Sequence, residues 1–316
     1  MTQAEAITVE GLTKRYRNGV LALQGIDFTV REGDVVGYLG PNGAGKTTTM
    51  KILTNLIRPT SGRATVAGID VQAHPMRALR RVGALIEVPG VYDYLTPDEV
   101  MAYFGRVHGL SAAMAKERTK LVLERVRMTE WHAAKIGGFS TGMTRRFFLA
   151  LAMLHDPEVL ILDEPVLGLD PKGMQDIRIV VKDLAKEGKT VLLSSHLLGE
   201  VAETCSRVIM INGGKVQLTG SVDELTRGQQ SRRIVVEFLA ALSDDDLAKV
   251  EALAGVTRVE MNGPHGVIEF DGARGVASSI LSSLVKAGLA PVSFAPQQSN
   301  LEDLYVNMVG ASGGIH

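Results

Sequence analysis

The segment GPNGAGKT, residues 40–47, combines three glycines with a lysine and a threonine directly after the apolar run DVVGYL. It fits the pattern G-x-x-x-x-G-K-[ST], in which bare backbone N–H groups and a helix N-terminus surround phosphate groups. Lys46 would supply a point charge for the β and γ phosphates, and the hydroxyl of Thr47 suits a Mg²⁺ ion. The alternative is a plain glycine turn between a strand and a helix. We favour a loop that binds a nucleoside triphosphate, since a predicted strand precedes it and a predicted helix follows.

Two carboxylates end a second apolar run, EVLILDE, at Asp163 and Glu164. Open α/β sheets bind their ligands at the carboxyl ends of their strands, and acids are costly there without a task. We predict that Asp163 contributes to the shell of a Mg²⁺ ion and that Glu164 orients or deprotonates an attacking water. His196 follows the run KTVLLSS and is expected at the same edge, near a γ-phosphate. The alternatives are that the two acids cap the next helix and that His196 is a capping or core histidine.

These residues require strands and helices in a particular order. The apolar patterns predict strands in AITVEGL, LALQGIDFTV and DVVGYL, and a helix after the glycine loop that runs through Ile57 to the stop signal RPTSG. From about residue 96 to 156 the pattern is helical. Further strands are predicted in EVLILDE, KTVLLSS and RVIMI, with a helix between the first two. Continuous apolar strands that alternate with helices imply a parallel sheet covered on both faces.

A polar stretch, DELTRGQQSRR at 223–233, is interpreted as a linker. The order after it is strand, helix, strand, strand, helix, strand, followed by a last helix at 299–310. That order predicts a ferredoxin-like sandwich. We therefore expect an α/β nucleotide-binding domain at 1–225, with a helical insertion at about 90–156, and a small α+β domain at 226–316.

The composition excludes several classes of protein. The 34 basic and 35 acidic residues leave a formal charge of −1, which argues against nucleic acid as a partner. The only cysteine, Cys205, rules out an internal disulfide and fits a reducing compartment. The first ten residues lack the pattern of a secretory signal, and no apolar stretch reaches the 18 residues that a spanning helix needs. We expect a cytoplasmic chain whose membrane role depends on a partner.

The ordered motifs GPNGAGKTT, FSTGM, LILDEP, GLD and SSH resemble those of the ATP-binding cassette (ABC) family over about residues 5–225. The resemblance implies a mixed sheet core, an antiparallel β subdomain and two cassettes that meet head to tail with ATP between them. It implies that Ser140 and Gly142 contact the γ-phosphate across the interface, that Asp170 links the two sites, and that Tyr16 stacks on adenine unless it is an ordinary strand tyrosine. The remaining residues expected to bind the nucleotide belong to the loop: Gly40, Asn42, Gly43, Gly45, Lys46, Thr47 and Thr48.

Two motifs depart from the family pattern. The signature reads FSTGM where L-S-G-G-Q is usual, but it keeps the serine and the second glycine. Glu87 stands where the family's lid loop supplies a glutamine, as in cassettes of bacitracin-type and lantibiotic-immunity exporters. A carboxylate there could bind Mg²⁺ through water, so we include Glu87 among the metal ligands. The alternative is a solvated loop acid.

The resemblance also suggests a partner. In the family, a groove beside the lid loop receives a cytoplasmic helix of a membrane permease, and the loop at 87–97 contains Tyr92 and Tyr94, which would otherwise pack on their own domain. Arg145 and Arg146 are interpreted as a solvated helix face that could meet a partner carboxylate. The C-terminal segment SNLEDLYVNMVG, residues 299–310, is similar to the ending of exporter-type cassettes. We expect the ATPase subunit of an exporter, paired with itself or a paralogue and bound to the cytoplasmic face of the membrane. A soluble cassette and an importer subunit are the alternatives.

Overall fold

A computed structural model describes residues 4–87, 90–228, 233–271 and 274–296. The chain divides into two units, Met1–Val222 and Asp223–His316. The strands of the larger unit are β1 (Glu5–Arg15), β2 (Leu21–Arg31), β3 (Val35–Leu39), β4 (Ser61–Val66), β5 (Ile69–Asp70), β6 (Val82–Leu85), β7 (Val159–Leu162), β8 (Thr190–Ser195), β9 (Arg207–Asn212) and β10 (Lys215–Ser221). They form two sheets.

The first sheet is antiparallel, in the order β2-β1-β4-β5. The second has six strands in the order β10-β9-β3-β8-β7-β6, all parallel to their neighbours except β10, which is antiparallel to β9. Every residue of β3, β7 and β8 is buried, which is why these strands read as continuous apolar runs. Since they are parallel, their carboxyl ends lie at one edge of the sheet, and the loops that follow them meet there.

The helices of the larger unit are α1 (Lys46–Leu53), α2 (Pro75–Leu79), α3 (Pro97–Val107), α4 (Ala112–Arg125), α5 (Thr141–Met153), α6 (Pro171–Lys186) and α7 (Leu198–Thr204), with α8 (Val222–Gly228) at the boundary between the units. Helix α1 contributes Met50, Ile52 and Leu53 to a core shared by strands of both sheets. Helices α3 to α5 form the insertion between β6 and β7, together with two 3-10 turns at Thr129–Trp131 and Ile136–Gly138. Among the described helices, none combines the length and the apolar character that crossing a membrane requires.

The predicted helix through Ile57 is shorter than the sequence pattern suggests. Helix α1 ends at Leu53, because Asn55 adopts a left-handed backbone (φ 54°) and the N–H of Leu56 bonds to the carbonyl of Lys51 at 2.8 Å. A bond five residues back closes the helix instead of continuing it. Leu56 is left 62% exposed, so its helical spacing was coincidental.

The predicted linker at 223–233 is also different in the structure. Its first six residues belong to α8, and Asp223 and Glu224 occupy the first turn of that helix. Acidic side chains at this position stabilise the N-terminus of a helix through its dipole. The first half of the polar stretch that suggested a linker is therefore helical, and its exposed acidic residues lie in the first turn of that helix.

The smaller unit contains β11 (Arg233–Phe238), α9 (Asp244–Glu251), β12 (Val256–Asn262), β13 (His265–Phe270), α10 (Arg274–Lys286) and β14 (Pro291–Pro296). Its strands form one antiparallel sheet in the order β12-β13-β11-β14. The sheet and both helices contribute to one core, which includes Ile234, Val236, Val250, Ile268 and Ile280. The predicted last helix at 299–310 lies outside the described residues.

Candidate functional site

The glycine loop connects β3 to α1 and is shaped by its glycines. Gly45 has φ 111°, and a Cβ there would lie 2.7 Å from Leu23 Cδ2 and 2.8 Å from the carbonyl oxygen of Ala22. A Cβ on Gly40 would lie 2.2 Å from the carbonyl oxygen of Ile211. Both positions therefore need glycine to let the loop approach β2 and β9. Helix α1 begins at Lys46, so its unpaired N–H groups point into the loop.

Lys46 is held inside this loop. Its Nζ donates to the carbonyl of Gly40 at 2.7 Å and to that of Pro41 at 3.3 Å, and it lies 3.8 Å from Glu164 Oε1. The residue is only 6% exposed. Burial lowers the pKa of its ammonium, while the carboxylates of Glu164 and Asp163 oppose that shift. The cation thus faces both the loop and the carboxylates that follow β7.

Two of the three residues predicted to hold a metal ion, Thr47 and Asp163, are in contact. The hydroxyl of Thr47 donates to Asp163 Oδ2 at 2.8 Å, and the hydroxyl of Ser194 donates to Asp163 Oδ1 at 2.5 Å. Asp163 is 6% exposed, and each of its carboxylate oxygens accepts one of these hydroxyls, which leaves further acceptor sites on both oxygens. A hydroxyl beside a carboxylate is a set of hard oxygen donors of the kind that Mg²⁺ uses together with water and phosphate oxygens.

Ser194 was missed by the sequence analysis. It also accepts a hydrogen bond from the N–H of Glu164 at 2.9 Å, so it fixes both acids that follow β7. A signal was available in the sequence. Ser194 lies near the carboxyl end of the predicted strand KTVLLSS, at the edge where open α/β sheets place their functional residues.

Glu164 and His196 are paired, as their positions at one sheet edge suggested. His196 Nδ1 lies 2.9 Å from Glu164 Oε2. Glu164 has φ 49°, a left-handed backbone that costs a residue with a side chain roughly 1–2 kcal/mol. Such strain persists only where several contacts hold the residue in place. The other carboxylate oxygen, Oε1, lies 3.8 Å from the Nζ of Lys46, so the carboxylate lies between His196 and the glycine loop.

The alternative that Asp163 and Glu164 cap the next helix is wrong. Helix α6 begins at Pro171, and its cap is Asp170, whose Oδ1 accepts from the N–H of Gly173 at 2.9 Å. Asp170 is exposed, and its carbonyl also accepts from the N–H of Met174 at 2.9 Å, so its hydrogen bonds among the described residues stay within the start of α6. The GLD segment thus precedes and caps α6, while Asp163 and Glu164 contact the glycine loop and β8 and the residue after it.

The signature segment starts α5. Ser140 is the N-cap, with its Oγ accepting from the N–H of Met143 at 3.2 Å. A Cβ on Gly142 would lie 3.3 Å from Leu169 Cδ2, so the glycine allows the first turn of α5 to approach the segment before α6. Among bonds between described residues, those of Ser140 stay within α5. Ser140 and Gly142 are not brought to the phosphate loop of their own chain by these bonds.

The prediction that Arg145 and Arg146 form a solvated helix face is wrong, because both are half-buried and the Nε of each is buried. Arg145 also contacts another element. The Nη1 of Arg145 donates to the carbonyl oxygen of Glu164 at 2.5 Å. A helical arginine gives no sequence signal for such a contact, because its acceptor is a backbone atom 19 residues later.

Glu87 and Tyr16 each contact helix α1, at Lys51 and at Thr48 respectively. Glu87 has φ 56°, is exposed, and forms an ion pair with Lys51 of α1 at 2.7 Å. Tyr16 is half-buried, and its Oη lies 3.2 Å from Thr48 Oγ1, which brings its ring to the start of α1. Sequence spacing did not predict the Lys51 contact, because it depends on how the loop after β6 passes α1.

Tyr92 and Tyr94 are not packed on their own domain. They are 69% and 64% exposed and stack on each other, with ring centroids 5.4 Å apart. The two adjacent rings form an exposed apolar patch, and contiguous patches of this kind are more typical of interaction surfaces than single exposed residues are.

A groove of about 600 Å³ lies between α3 and α4, and we call it the α3–α4 groove. Its floor is made of buried residues of α4: Ala115, Thr119 and Leu123. Its rim carries exposed cations: Arg106, Lys116 and Lys120. Asp98 also lines it and pairs with His132 at 2.7 Å. Three cations against one carboxylate give the rim a positive charge.

The fold and site define a P-loop nucleoside triphosphatase, with a glycine loop before α1 and a carboxylate pair at the end of a neighbouring buried strand. The ABC transporter family model matches residues 23–167. The linearmycin resistance ATP-binding protein LnrL of Bacillus subtilis (strain 168) is 32% identical over 306 residues, which cover 96% of this chain and 98% of that protein. The bacitracin transport ATP-binding protein BcrA of Bacillus licheniformis is 34% identical over 307 residues, covering 96% and 97%. This chain belongs to the ABC transporter family, as one of its ATP-binding ATPases.

The solved structures agree on the fold. An ATP-binding cassette in a dimeric, post-hydrolysis state bound to ADP and Pi aligns with a TM-score of 0.63 at 23% identity, covering 68% of this chain and 98% of that one. The mixed sheet with its helices is thus the cassette fold that the motifs predicted.

Proposed function

We propose that this chain hydrolyses ATP to drive an exporter whose membrane-spanning part is a separate permease. The observation that carries the chemistry is the meeting of Lys46, Thr47, Asp163, Glu164 and His196 at one sheet edge. Export is supported by similarity over nearly the whole chain to proteins named for linearmycin resistance and bacitracin transport.

Glu164 would act as the general base. Its carboxylate orients a water against the γ-phosphate and accepts the proton that the water loses as the new P–O bond forms and ADP leaves. His196 holds Oε2 of that carboxylate and so fixes its direction. Lys46 balances the negative charge that gathers on the phosphate oxygens.

Thr47 and Asp163 would hold a Mg²⁺ ion through their side-chain oxygens, since the pair fits the preference of that ion. When bound, Mg²⁺ supplies charge compensation to the β and γ phosphates. The other phosphate contacts would come from Asn42, Gly43 and Thr48, and adenine would stack on Tyr16. Each of these roles rests on position in the motif.

Two cassettes would meet head to tail and share two ATP sites, each formed by the glycine loop of one chain and the signature segment of the other. Ser140 and Gly142 lie at the exposed start of α5, where a hydroxyl and an unhindered helix N-terminus suit an anion of a second chain. Asp170 would link the sites at the start of α6. The second chain would be a copy of this one or a paralogous cassette. Nucleic acid is not among the proposed partners.

The permease would bind at the loop 87–97 and the α3–α4 groove. The exposed pair Tyr92 and Tyr94 offers apolar anchors, and the groove has an apolar floor with a positive rim. A short amphipathic helix with acidic residues beside its apolar face fits this combination. Such binding would place the chain on the cytoplasmic face of the membrane, peripherally attached.

Co-purification from the native host tests this proposal. We expect the tagged chain, after gentle solubilisation of membranes, to carry a protein with several predicted spans in stoichiometric amount by mass spectrometry. Reversing the groove charge with Lys116→Glu and Lys120→Glu should lower that recovery by about tenfold, because each reversed charge repels an acidic partner. The paired variant Lys182→Glu and Lys186→Glu on exposed positions of α6 is the matched control.

The outcomes separate the alternatives. Wild-type chain that carries no spanning protein would overturn the exporter proposal and favour a soluble cassette. Recovery of a permease together with a binding protein for an extracellular solute would favour an importer. Equal recovery with the reversed groove would remove the groove from the docking surface.

Replacing Glu87 by Gln should raise the Mg²⁺ concentration for half-maximal ATPase activity by about two- to fivefold. A carboxylate that binds Mg²⁺ through water contributes on the order of 1 kcal/mol at a separation near 4 Å in water, and Gln removes that charge. Glu117→Gln, on the exposed face of α4, should leave the Mg²⁺ curve unchanged. An unchanged curve for the Glu87 variant would assign that side chain to its Lys51 pair alone.

For the smaller unit we propose the ferredoxin-like sandwich, with domains at 1–225 and 226–316. The proposal is supported by the β-α-β-β-α-β order of β11 to β14 and by the position of β11 between β13 and β14. The unit would serve dimer contact or regulation rather than ATP chemistry.

A further inference from the structure

Arg145 is a charged side chain that the ATPase chemistry described above does not use. It lies near the start of α5, five residues after the cap Ser140, and its guanidinium reaches across to the segment after β7. Its Nη1 donates to the carbonyl oxygen of Glu164 at 2.5 Å, while its buried Nε has no hydrogen-bond partner among the residues that the structure describes. Arg145 is half-buried and makes one charge-assisted hydrogen bond, to a backbone carbonyl. This arrangement suggests that the side chain holds that carbonyl in position.

The backbone of Glu164 needs such support. Its φ of 49° is unusual for a residue with a side chain, and the peptide groups on both sides must be held to keep it. Its N–H donates to Ser194 Oγ at 2.9 Å, and its carbonyl accepts from the N–H of Leu167 at 3.2 Å and from Arg145. Of the two donors to the carbonyl, Arg145 is the closer, the charged one, and the one that comes from a different element.

Electrostatics favours the same position. Burial lowers the pKa of Arg145, and the carboxylates of Glu164 and Asp163 offset that shift by attracting the charged form. The guanidinium therefore lies in the field of both acids and remains a cation, as arginine does in proteins. A lysine would offer the carbonyl a donor without the planar geometry of the guanidinium, and an uncharged side chain would lack the positive charge.

We propose that Arg145 is a positioning residue that fixes the backbone of Glu164 and links it to the start of α5. The proposal rests on the role of Glu164 as the general base, and adds a connection between the signature segment and that base within one chain. Ser140 and Arg145 lie about 7.5 Å apart along one helix, at 1.5 Å per residue. A shift of the N-terminus of α5, when Ser140 meets the nucleotide of the second cassette, would be transmitted through Arg145 to Glu164.

Steady-state ATPase kinetics of three variants test the proposal. Arg145→Met keeps the apolar stem and removes the donors, so kcat should fall by about 10- to 100-fold, the scale on which a misplaced catalytic group is felt. Arg145→Lys keeps one charged donor and should recover part of that loss. The KM for ATP and the Kd of ATP by calorimetry should stay within about twofold of wild type, since Arg145 does not contact the phosphate loop in the described structure.

Arg146→Gln is the matched control. It removes the same charge from the neighbouring position of α5, where the side chain is also half-buried with an unpartnered Nε but makes no hydrogen bond or ion pair to another described residue. Its kcat should be that of the wild type within about twofold. Thermal unfolding of all variants shows whether each is folded at the assay temperature.

A double-mutant cycle with Glu164→Gln decides whether Arg145 acts through Glu164. If it does, Arg145→Met should cost little in the Glu164→Gln background, because the group that it positions has already been disabled. Equal losses in both backgrounds would overturn the proposal, as would an unchanged kcat or a parallel loss of ATP binding in the single variants. If Glu164→Gln did not slow turnover, the base role of Glu164 would be refuted. The positioning role of Arg145 would be refuted with it, because it depends on that base.

Discussion

The Glu164→Gln variant is expected to bind ATP as the wild type does and to hydrolyse it about 10² times more slowly or worse. Glutamine preserves the size of the side chain and can still bond to His196, but it neither accepts a proton nor carries the charge that aligns the attacking water. Removing one well-aimed catalytic group has effects on this scale. Turnover is measured by phosphate release, and binding by calorimetry with ATP.

Glu158→Gln provides the control for this variant. Glu158 stands just before the same strand, β7, at its opposite end, and pairs on the surface with Arg81. Its loss should change turnover by less than about twofold, as expected for an exposed pair. Turnover of Glu164→Gln within a few-fold of wild type would remove Glu164 from the base role.

The same variant reports on the assembly. With hydrolysis slowed, MgATP should hold two cassettes together, and light scattering should give about twice the mass of the monomer. A mass that stays monomeric at micromolar protein would argue against a shared site in a homodimer and direct the search to a paralogous partner.

Replacing Lys46 by Met is the second change with a large expected effect. It should raise the Kd for ATP by about 10²-fold, because the ammonium is buried beside the phosphate loop and the loss of a buried charged partner costs roughly 2–5 kcal/mol. Methionine retains most of the side-chain volume, so the loop should keep its shape. Calorimetry with ATP in the presence of Mg²⁺ gives the Kd directly.

Lys186→Met removes an exposed lysine of α6 that pairs with Asp183 three residues away. That pair is a surface contact, and its loss should leave the Kd for ATP unchanged. A Lys46 variant that binds ATP as tightly as this control would show that the loop backbone alone provides the affinity.

Much of the site could be predicted from the sequence because its parts are local. The glycine loop, the acids Asp163 and Glu164, and His196 each follow an apolar strand, and parallel strands bring their carboxyl ends to one edge. The two departures in the fold have local causes that the patterns do not contain. The left-handed Asn55 ends α1 early, and α8 is a helix built from residues typical of linkers.

The contacts that long polar side chains make around the site could not be predicted in the same way. Lys51 meets Glu87, and Arg145 meets the backbone of Glu164, across large gaps in the chain. A periodic pattern reports which face of an element is buried but not which distant atom a long polar side chain reaches. Arg145 was expected to be solvated because arginine usually is.

The sequence by itself determined the ligand class, the order of the elements and the residues that follow each buried strand. These depend on local preferences: glycine where a turn is tight, apolar runs where both faces of a sheet are covered, and acids where a strand ends. Only the tertiary structure decided that Ser194 ties Asp163 to Glu164, that Asp170 rather than those acids caps α6, and that Arg145 reaches Glu164. Such contacts arise when packing brings separate elements together, and their energy depends on distances that no spacing along the chain contains.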